Sequence, residues 1–365
     1  MKRRSFIHRA AILSAGLLLP FSKLHARHQE SNNSIWLDLL DYARWCPSPH
    51  NVQPWKLKIL SATEALLYYD SARIPGIVDV DTSFTIVGMS MFIECLNIAA
   101  GYHGYNLRAF HESEPRLDTR PGPYRKFASL QLRRDSNRSV FDRELIKQRR
   151  TSRLHYDGRV VPNEIVANYK ALANSFGHRF EHTTDPNLIR KIVELNTDTI
   201  LQRAGEKETM DEMRVWARTT EDEAARTGDG LWSKANAVPG KLMHNFMYHH
   251  SRFEHGWKLA MTRRMLNKGM SGTGEMAWIT GPFQYREDWV NAGIMLQQLW
   301  LEMTQAGLYM HPLGTVITTA AAKKALLQLT GETEQSGTVW FLIRMGYSDE
   351  PPRSFRLPLK SLIIS

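Results

Sequence analysis

The sequence is poor in the residues that form covalent or metal staples. Only two cysteines, Cys46 and Cys95, stand among 365 residues. That excludes a disulfide framework, and neither cysteine sits at a zinc-ligand spacing. The fourteen histidines are scattered and give no HExxH pair, so a metal site has little support. No GxGxxG stretch is present, which removes a dinucleotide-binding βαβ fingerprint. The apolar run AILSAGLLLPF at 11–21 is too short for an ordinary membrane span. What remains is globular: 42% hydrophobic and 23% charged residues, enough for one large domain or two smaller ones.

The N-terminus bears on the charge. MKRRSFIHRA is basic and leads into the short apolar run, the layout of an export signal. Arg3 and Arg4, with Phe6 and Ile7, resemble a twin-arginine signal, with Lys2 where Ser or Thr is usual. This predicts a signal over 1–26, cleaved after Ala26, recognition by the twin-arginine export machinery and a periplasmic location. Such export carries folded proteins, often with a cofactor in place. Residues 1–26 hold five Lys or Arg and no acid, so the formal +10 falls to +5 without them. That charge serves solubility rather than nucleic-acid binding. The basic cluster RRDSNR at 133–138 lacks the interleaved aromatics of a single-strand binder.

Further along, 35–45 places Ile35, Leu39, Tyr42 and Ala43 on one helical face, and Pro47 and Pro49 end that helix. KLKI at 56–59 and LLYYD at 66–70 read as a strand hairpin. FTIVGMSMFIECLNIAA at 84–100 reads as a buried helix closed by Gly104, and RKFASLQLRR at 125–134 as a strand. Pro162 starts another helix, and 185–227 is helical and charged. Residues 228–274 gather glycine, methionine and aromatics in a lid-like insertion; Trp232, Met243, Phe246, Met247 and Tyr248 could line a pocket or pack as core. Residues 289–308 form a second apolar helix ending at Gly307, and TVWFLIRMGY at 338–347 is a core strand. A constant offset lays Gly104 on Gly307, Leu96 on Leu299 and Phe92 on Met295, which suggests two related halves.

Four elements carry a family resemblance. PSPHNVQPW at 47–55 is close to a PSxxNxQPW element, and RRTSRLHY at 149–156 to an RRSxRxF element. AGIMLQQLWLEMTQAGLYMHPLG at 292–314 resembles a central helix and the loop after it, and RMGYSDEPPRSFRLPL at 344–359 a closing strand and tail. Together they resemble the nitroreductase family of flavin mononucleotide (FMN) enzymes, in a fused branch with two halves in one chain. The resemblance implies an α+β fold of mixed antiparallel sheets flanked by helices, with halves at 27–140 and 141–365 forming a pseudo-dimer. It implies an FMN-dependent oxidoreductase acting on a nitroaromatic or quinone, with NAD(P)H or a protein or quinol as electron donor. The alternative is a protein that binds or sequesters FMN with little turnover. Either could be a monomer or a homodimer.

One departure matters for the site. Relatives carry the arginine element before PSxxNxQPW; here it follows. The inference is one composite site, with Asn51 from the first half and Arg149 and Arg153 from the second. Read alone, RRTSR is a basic run and Asn51 a turn residue. The resemblance assigns Arg149, Arg150, Thr151 and Arg153 to the FMN phosphate side, with Arg353 as the C-terminal partner and Arg356 its rival. It assigns Asn51 and Gln53 to the polar edge of the ring, and Leu313 and Gly314 to the loop beside it. The arginines are expected to converge by turning at a helix start. His311 reads as local structure rather than an acid, and Cys46 as a small buried residue.

Overall fold

The computed structural model describes residues 35–135, 139–253, 255–333 and 337–364. The signal expectation over 1–26 lies outside them. Residues 35–43 form helix α1, with Trp36, Leu39, Leu40 and Ala43 fully buried. The chain then runs through a proline-rich loop into β1 (Trp55–Ile59) and β2 (Glu64–Tyr69), paired antiparallel with Trp55 opposite Tyr69. Helix α2 (Ser83–Tyr102) follows, then β3 (Tyr105–His111) and β4 (Arg125–Arg134). β3 is not among the expected strands: Tyr105, Leu107 and Ala109 alternate with polar residues, but Phe110 breaks the period.

The second part opens with the short helix α3 (Glu144–Gln148) and α4 (Asn163–Ser175), which starts just after Pro162. Strand β5 (Arg179–Thr183) is followed by α5 (Pro186–Ala204), α6 (Lys207–Trp216), β6 (Ala217–Arg218), α7 (Glu221–Thr227), β7 (Leu231–Trp232), α8 (Gly240–His249) and α9 (Gly256–Gly269). Then come β8 (Glu275–Gly281), α10 (Arg286–Gln305), β9 (Tyr309–Pro312), α11 (Gly314–Thr318), α12 (Ala320–Thr330) and β10 (Thr338–Gly346).

Two four-stranded antiparallel sheets result, ordered β1-β2-β4-β3 and β5-β8-β10-β9. The order is the same when β5, β8, β9 and β10 are matched to β1, β2, β3 and β4, and a long apolar helix, α2 or α10, follows the second strand of each. The difference is an insertion. Where the first sheet joins its opening strands through 60–63, the second spends 184–274, most of it helical.

α2 and α10 pack directly on each other. A side chain at Gly293 would come within 2.5 Å of the Val87 carbonyl, so only glycine permits this approach. The offset seen in the sequence recurs in the backbone: Gly104 and Gly307 close their helices at φ 71° and 72°. Phe92, Leu96, Met295 and Leu299 are all fully buried. α2 is long and apolar enough to cross a membrane, but 89% of that span is buried, as suits a core helix. The C-terminal segment returns to the first sheet, where Leu57 bridges Ile363 and the Ile364 N–H donates to the Leu57 carbonyl at 3.0 Å. That covers the outer edge of β1.

Candidate functional site

The proline-rich loop is held in a costly conformation. His50, Asn51 and Gln53 all have positive φ, at 48°, 57° and 51°. Three such non-glycine residues in four positions are strained, and strain of this kind persists where surrounding contacts enforce it. Those contacts are visible. The Asn51 amide donates to the Gly230 carbonyl at 3.3 Å and the Phe355 carbonyl at 3.1 Å. Gln53 is fully buried; its amide donates to Gly228 O at 2.9 Å and its oxygen accepts from Leu357 N at 2.9 Å. The loop is thereby tied to the insertion and to the tail.

The arginine run lies beside it. Arg149 caps the C-terminal end of α3 with extended geometry. Thr151 bridges Met310 of β9, and the Ser152 hydroxyl meets that of Ser348 at 2.7 Å. The run is therefore extended rather than turned at a helix start, which corrects the expected local structure. The two-residue period of extended chain explains the outcome: Arg149, Thr151 and Arg153 share one side, while Ser152 is buried on the other.

These segments meet at a cleft of about 100 Å³ that opens to solvent. Asn51, Arg149, Arg150, Thr151, Arg153 and Arg353 all line it, together with Arg356, Trp45, His50 and the insertion residues Gly230, Leu231, Ala235 and Asn236. No lining residue is acidic. Arg150 is neutralised by an ion pair with Glu350 and donates to the Pro351 carbonyl at 2.9 Å. Arg149, Arg153, Arg353 and Arg356 have no carboxylate partner among the described residues. Buried donors are left over: Nε of Arg149, Nε and Nη2 of Arg353, and Nε of Arg356. Burial, reinforced by Arg149, pushes Arg356 down to about 9, and burial lowers Arg149 and Arg153 to about 10. All stay charged at neutral pH.

Trp45 organises this cluster. The Arg353 guanidinium lies 3.3 Å from its ring centre, and its carbonyl accepts from Arg149 at 3.0 Å and Arg356 at 3.3 Å. The sequence reading did not single out Trp45 or His50; neither a lone tryptophan at a helix end nor a loop histidine signals a site. Burial and the Arg153 charge push His50 down to about 4, so it is neutral here. An isolated buried cluster of positive charge with unpaired donors is unfavourable unless an anion completes it.

Three expected residues are not on the cleft wall. Gln53 spends its side chain stitching the loop to Gly228 and Leu357. Leu313 is buried with Met276, Val316 and Leu342, its N–H donating to Leu342 O at 2.8 Å. Gly314 begins α11 next to it. The segment expected to loop past a ring is instead β9, paired to β10; Leu313 just after it packs in the second sheet's core, while Gly314 is exposed with open space around it. His311, also on β9, is pushed well below its usual range by burial and by Arg153 and Arg344, so it is no acid at neutral pH.

The lid-or-core question divides by residue. Gly230–Asn236 contributes to the cleft wall, while Met243 and Met247 pack with Ala204, Met210 and Ala217 in a separate small core. Trp232 is buried against Phe355, with ring centres 5.2 Å apart. The wall is pinned: Asp229, almost buried, pairs with Arg218 at 2.7 Å and Arg73 at 2.9 Å. Among the described residues no group of three His, Cys, Asp or Glu could hold a metal. His178 and His182 stand four apart but along extended chain at β5, where His182 pairs with the buried Glu275.

No family model matches the chain, and no curated protein matches it. Solved structures give distant likenesses. The FMN-dependent nitroreductase NfnB from Mycobacterium smegmatis, in complex with NADPH, is 16% identical over 60% of this chain and 94% of that one, with a TM-score of 0.39. A nitroreductase with bound FMN from Desulfitobacterium hafniense is 14% identical over 62% of this chain and 99% of that one, at 0.38. A nitroreductase-like family protein from Bacillus cereus is 14% identical over 62% and 96%, at 0.32. The functional reading therefore rests on the cleft and its residues.

Proposed function

We propose that the chain binds FMN in the arginine-lined cleft and is an FMN-dependent oxidoreductase of nitroreductase type. The acceptor in this reading is a small electron-poor molecule such as a nitroaromatic or quinone. The observation that carries it is the set of unpaired buried guanidinium donors beside a strained, fixed asparagine, with no acid on the wall. Those donors suit a dianionic phosphate, which arginine recognises through its planar fork. Bound FMN would supply the ring that accepts and releases electrons.

The protein's own residues would hold and orient it. Arg149, Arg153, Arg353 and Arg356 would take the phosphate. Asn51 uses its N–H donors on Gly230 and Phe355, and its buried Oδ1 has no partner, so it would accept from a ligand N–H. The segment Gly230–Asn236 would exclude water from one side. No side chain needs to move a proton: His50 and His311 are both held neutral.

The repeated sheet order and the α2–α10 contact support two halves at 27–140 and 141–365 packed as a pseudo-dimer, with one composite site. The twin-arginine pattern supports export to the periplasm, where a quinol or protein donor is better supplied than NAD(P)H. In cells lacking the twin-arginine translocase the protein should stay in the cytoplasm; unchanged periplasmic recovery would remove the export reading. The pinned wall favours a second reading, FMN held without turnover. Reduction by NADPH followed by reoxidation by a nitroaromatic would rule that reading out.

The test of the site is FMN uptake by R149A/R153A. Losing two charge-assisted contacts should weaken binding about a hundredfold or more. Equal affinity in parent and variant would remove the phosphate assignment.

A further inference from the structure

The insertion carries a helix whose apolar side faces outward. On α9, the residues Trp257, Ala260, Met261, Arg264, Met265 and Lys268 recur every three or four positions and are all exposed. Trp257 is 70% exposed, Met261 51% and Met265 37%. The inward side is mixed, with half-buried Leu259 and Leu266 beside polar groups. Thr262 is buried there, and Asn267 accepts from Thr197 of α5 at 2.6 Å. A helix docked only onto its own protein would place tryptophan and methionine inward and threonine and asparagine outward.

The charge on this helix has one sign. Lys258, Arg263, Arg264 and Lys268 lie on α9, and no acid occurs from His255 to Gly274. Arg263 is turned toward the body, where it pairs with Asp198 of α5. Arg264 and Lys268 stay exposed alongside Met261 and Met265. Lys258 lies 5.7 Å from the Trp257 ring centre. Charge selects among occupants. A second copy would bring the same cations to the same face. The chain's own N-terminal segment is basic as well, with five Lys or Arg and no acid in 1–26. Both repel. The exposed apolar stripe has long cationic stems on its flanks, which suits the headgroup boundary of an anionic lipid surface.

We propose that the outer face of α9 docks on an anionic phospholipid surface. Trp257, Met261 and Met265 enter the boundary between headgroups and acyl chains, and Arg264 and Lys268 meet the lipid phosphates. The helix lies in the plane of the membrane and does not cross it; its fourteen residues, Gly256–Gly269, are too few to span. This inference does not depend on the flavin reading. If both hold, the site belongs to a protein positioned to meet lipid-soluble electron carriers.

The experiment uses the full chain and vesicles of phosphatidylglycerol and phosphatidylethanolamine, with pure phosphatidylcholine as control. A Met261→Cys variant carries an environment-sensitive fluorophore. Its emission should shift to the blue with the anionic vesicles and stay put with phosphatidylcholine. In co-sedimentation, R264E/K268E should bind anionic vesicles about thirtyfold more weakly or worse. W257A/M261A should also lose affinity, and high salt should weaken the parent. All four positions are exposed, so unfolding is not expected, and an unchanged melting temperature checks this. Vesicle binding without a blue shift at position 261 would place the contact on another segment, such as the basic N-terminus, and overturn the proposal. So would failure to bind anionic vesicles, or a shift produced only by an acidic polypeptide.

Discussion

At the scale of single residues, the cleft brings together groups whose roles differ more than their sequence positions suggest. Asn51 both closes the loop and faces the ligand space. N51A should lose two hydrogen bonds, to the Gly230 and Phe355 carbonyls, costing about 1–3 kcal/mol of stability and weakening FMN uptake. Thermal melts and FMN titration check both; an unchanged melting temperature would contradict the structural half. His50 tests the electrostatics. Its folded value of about 4 lies below the ordinary 6.5, so between those pH values the unfolded chain binds the extra proton. Stability therefore falls as pH drops from 6.5 to 4, by up to about 1.4 kcal/mol per unit from this residue. His50→Asn, which tolerates the positive φ, should flatten that part of the profile. Denaturant midpoints across pH 4–7 would show it, and an identical slope in parent and variant would contradict it. Residue identities in RRTSR and PSPHN were legible because unusual residues are crowded there. For Gln53 the sequence shows that an amide is present but not that Gly228 and Leu357 take up its hydrogen bonds. Trp45 was passed over because its role comes from tail arginines that fold back from three hundred residues away.

At the scale of elements, the long apolar segments announced themselves and the short polar strands did not. α2, α10, β4 and β10 follow from uninterrupted apolar or alternating runs. β3, β5 and β9 are short and carry Arg, His, Glu and Asn, so only pairing with a neighbour makes them strands. The β9 assignment has a direct consequence, since Leu313, which follows it, packs in the second sheet's core while Gly314 stays exposed. The α2–α10 crossing depends on one missing side chain. Gly293→Ala sets a carbon 2.5 Å from Val87 O and 2.7 Å from the Ser90 side chain, and should cost about 1–3 kcal/mol in urea unfolding. A neutral result would mean the helices can separate freely. The insertion wall depends on Asp229. Asp229→Asn leaves Arg218 and Arg73 without their shared carboxylate and should cost about 3–5 kcal/mol if the pair stays buried. It should also speed FMN release in stopped-flow, because the same segment carries Gly230 and Leu231; an unchanged release rate would separate the wall from the ligand.

At the scale of the whole molecule, two sheets of the same strand order accompany an arginine-lined cleft that lies outside their strands. The cleft is assembled from the first loop, the run after α3, the insertion and the tail. No single stretch of sequence contains it, and that is why its composition could be guessed but its walls could not. The PSPHN and RRTSR segments, about a hundred residues apart along the chain, reach the same cleft. The central claim is that this cleft holds the phosphate of one FMN. Parallel titration of the purified chain with FMN and with riboflavin, which lacks the phosphate, tests it most directly. The expected outcome is one FMN per chain and riboflavin bound about a hundredfold more weakly. Riboflavin bound as tightly as FMN, or no uptake of either, would contradict it.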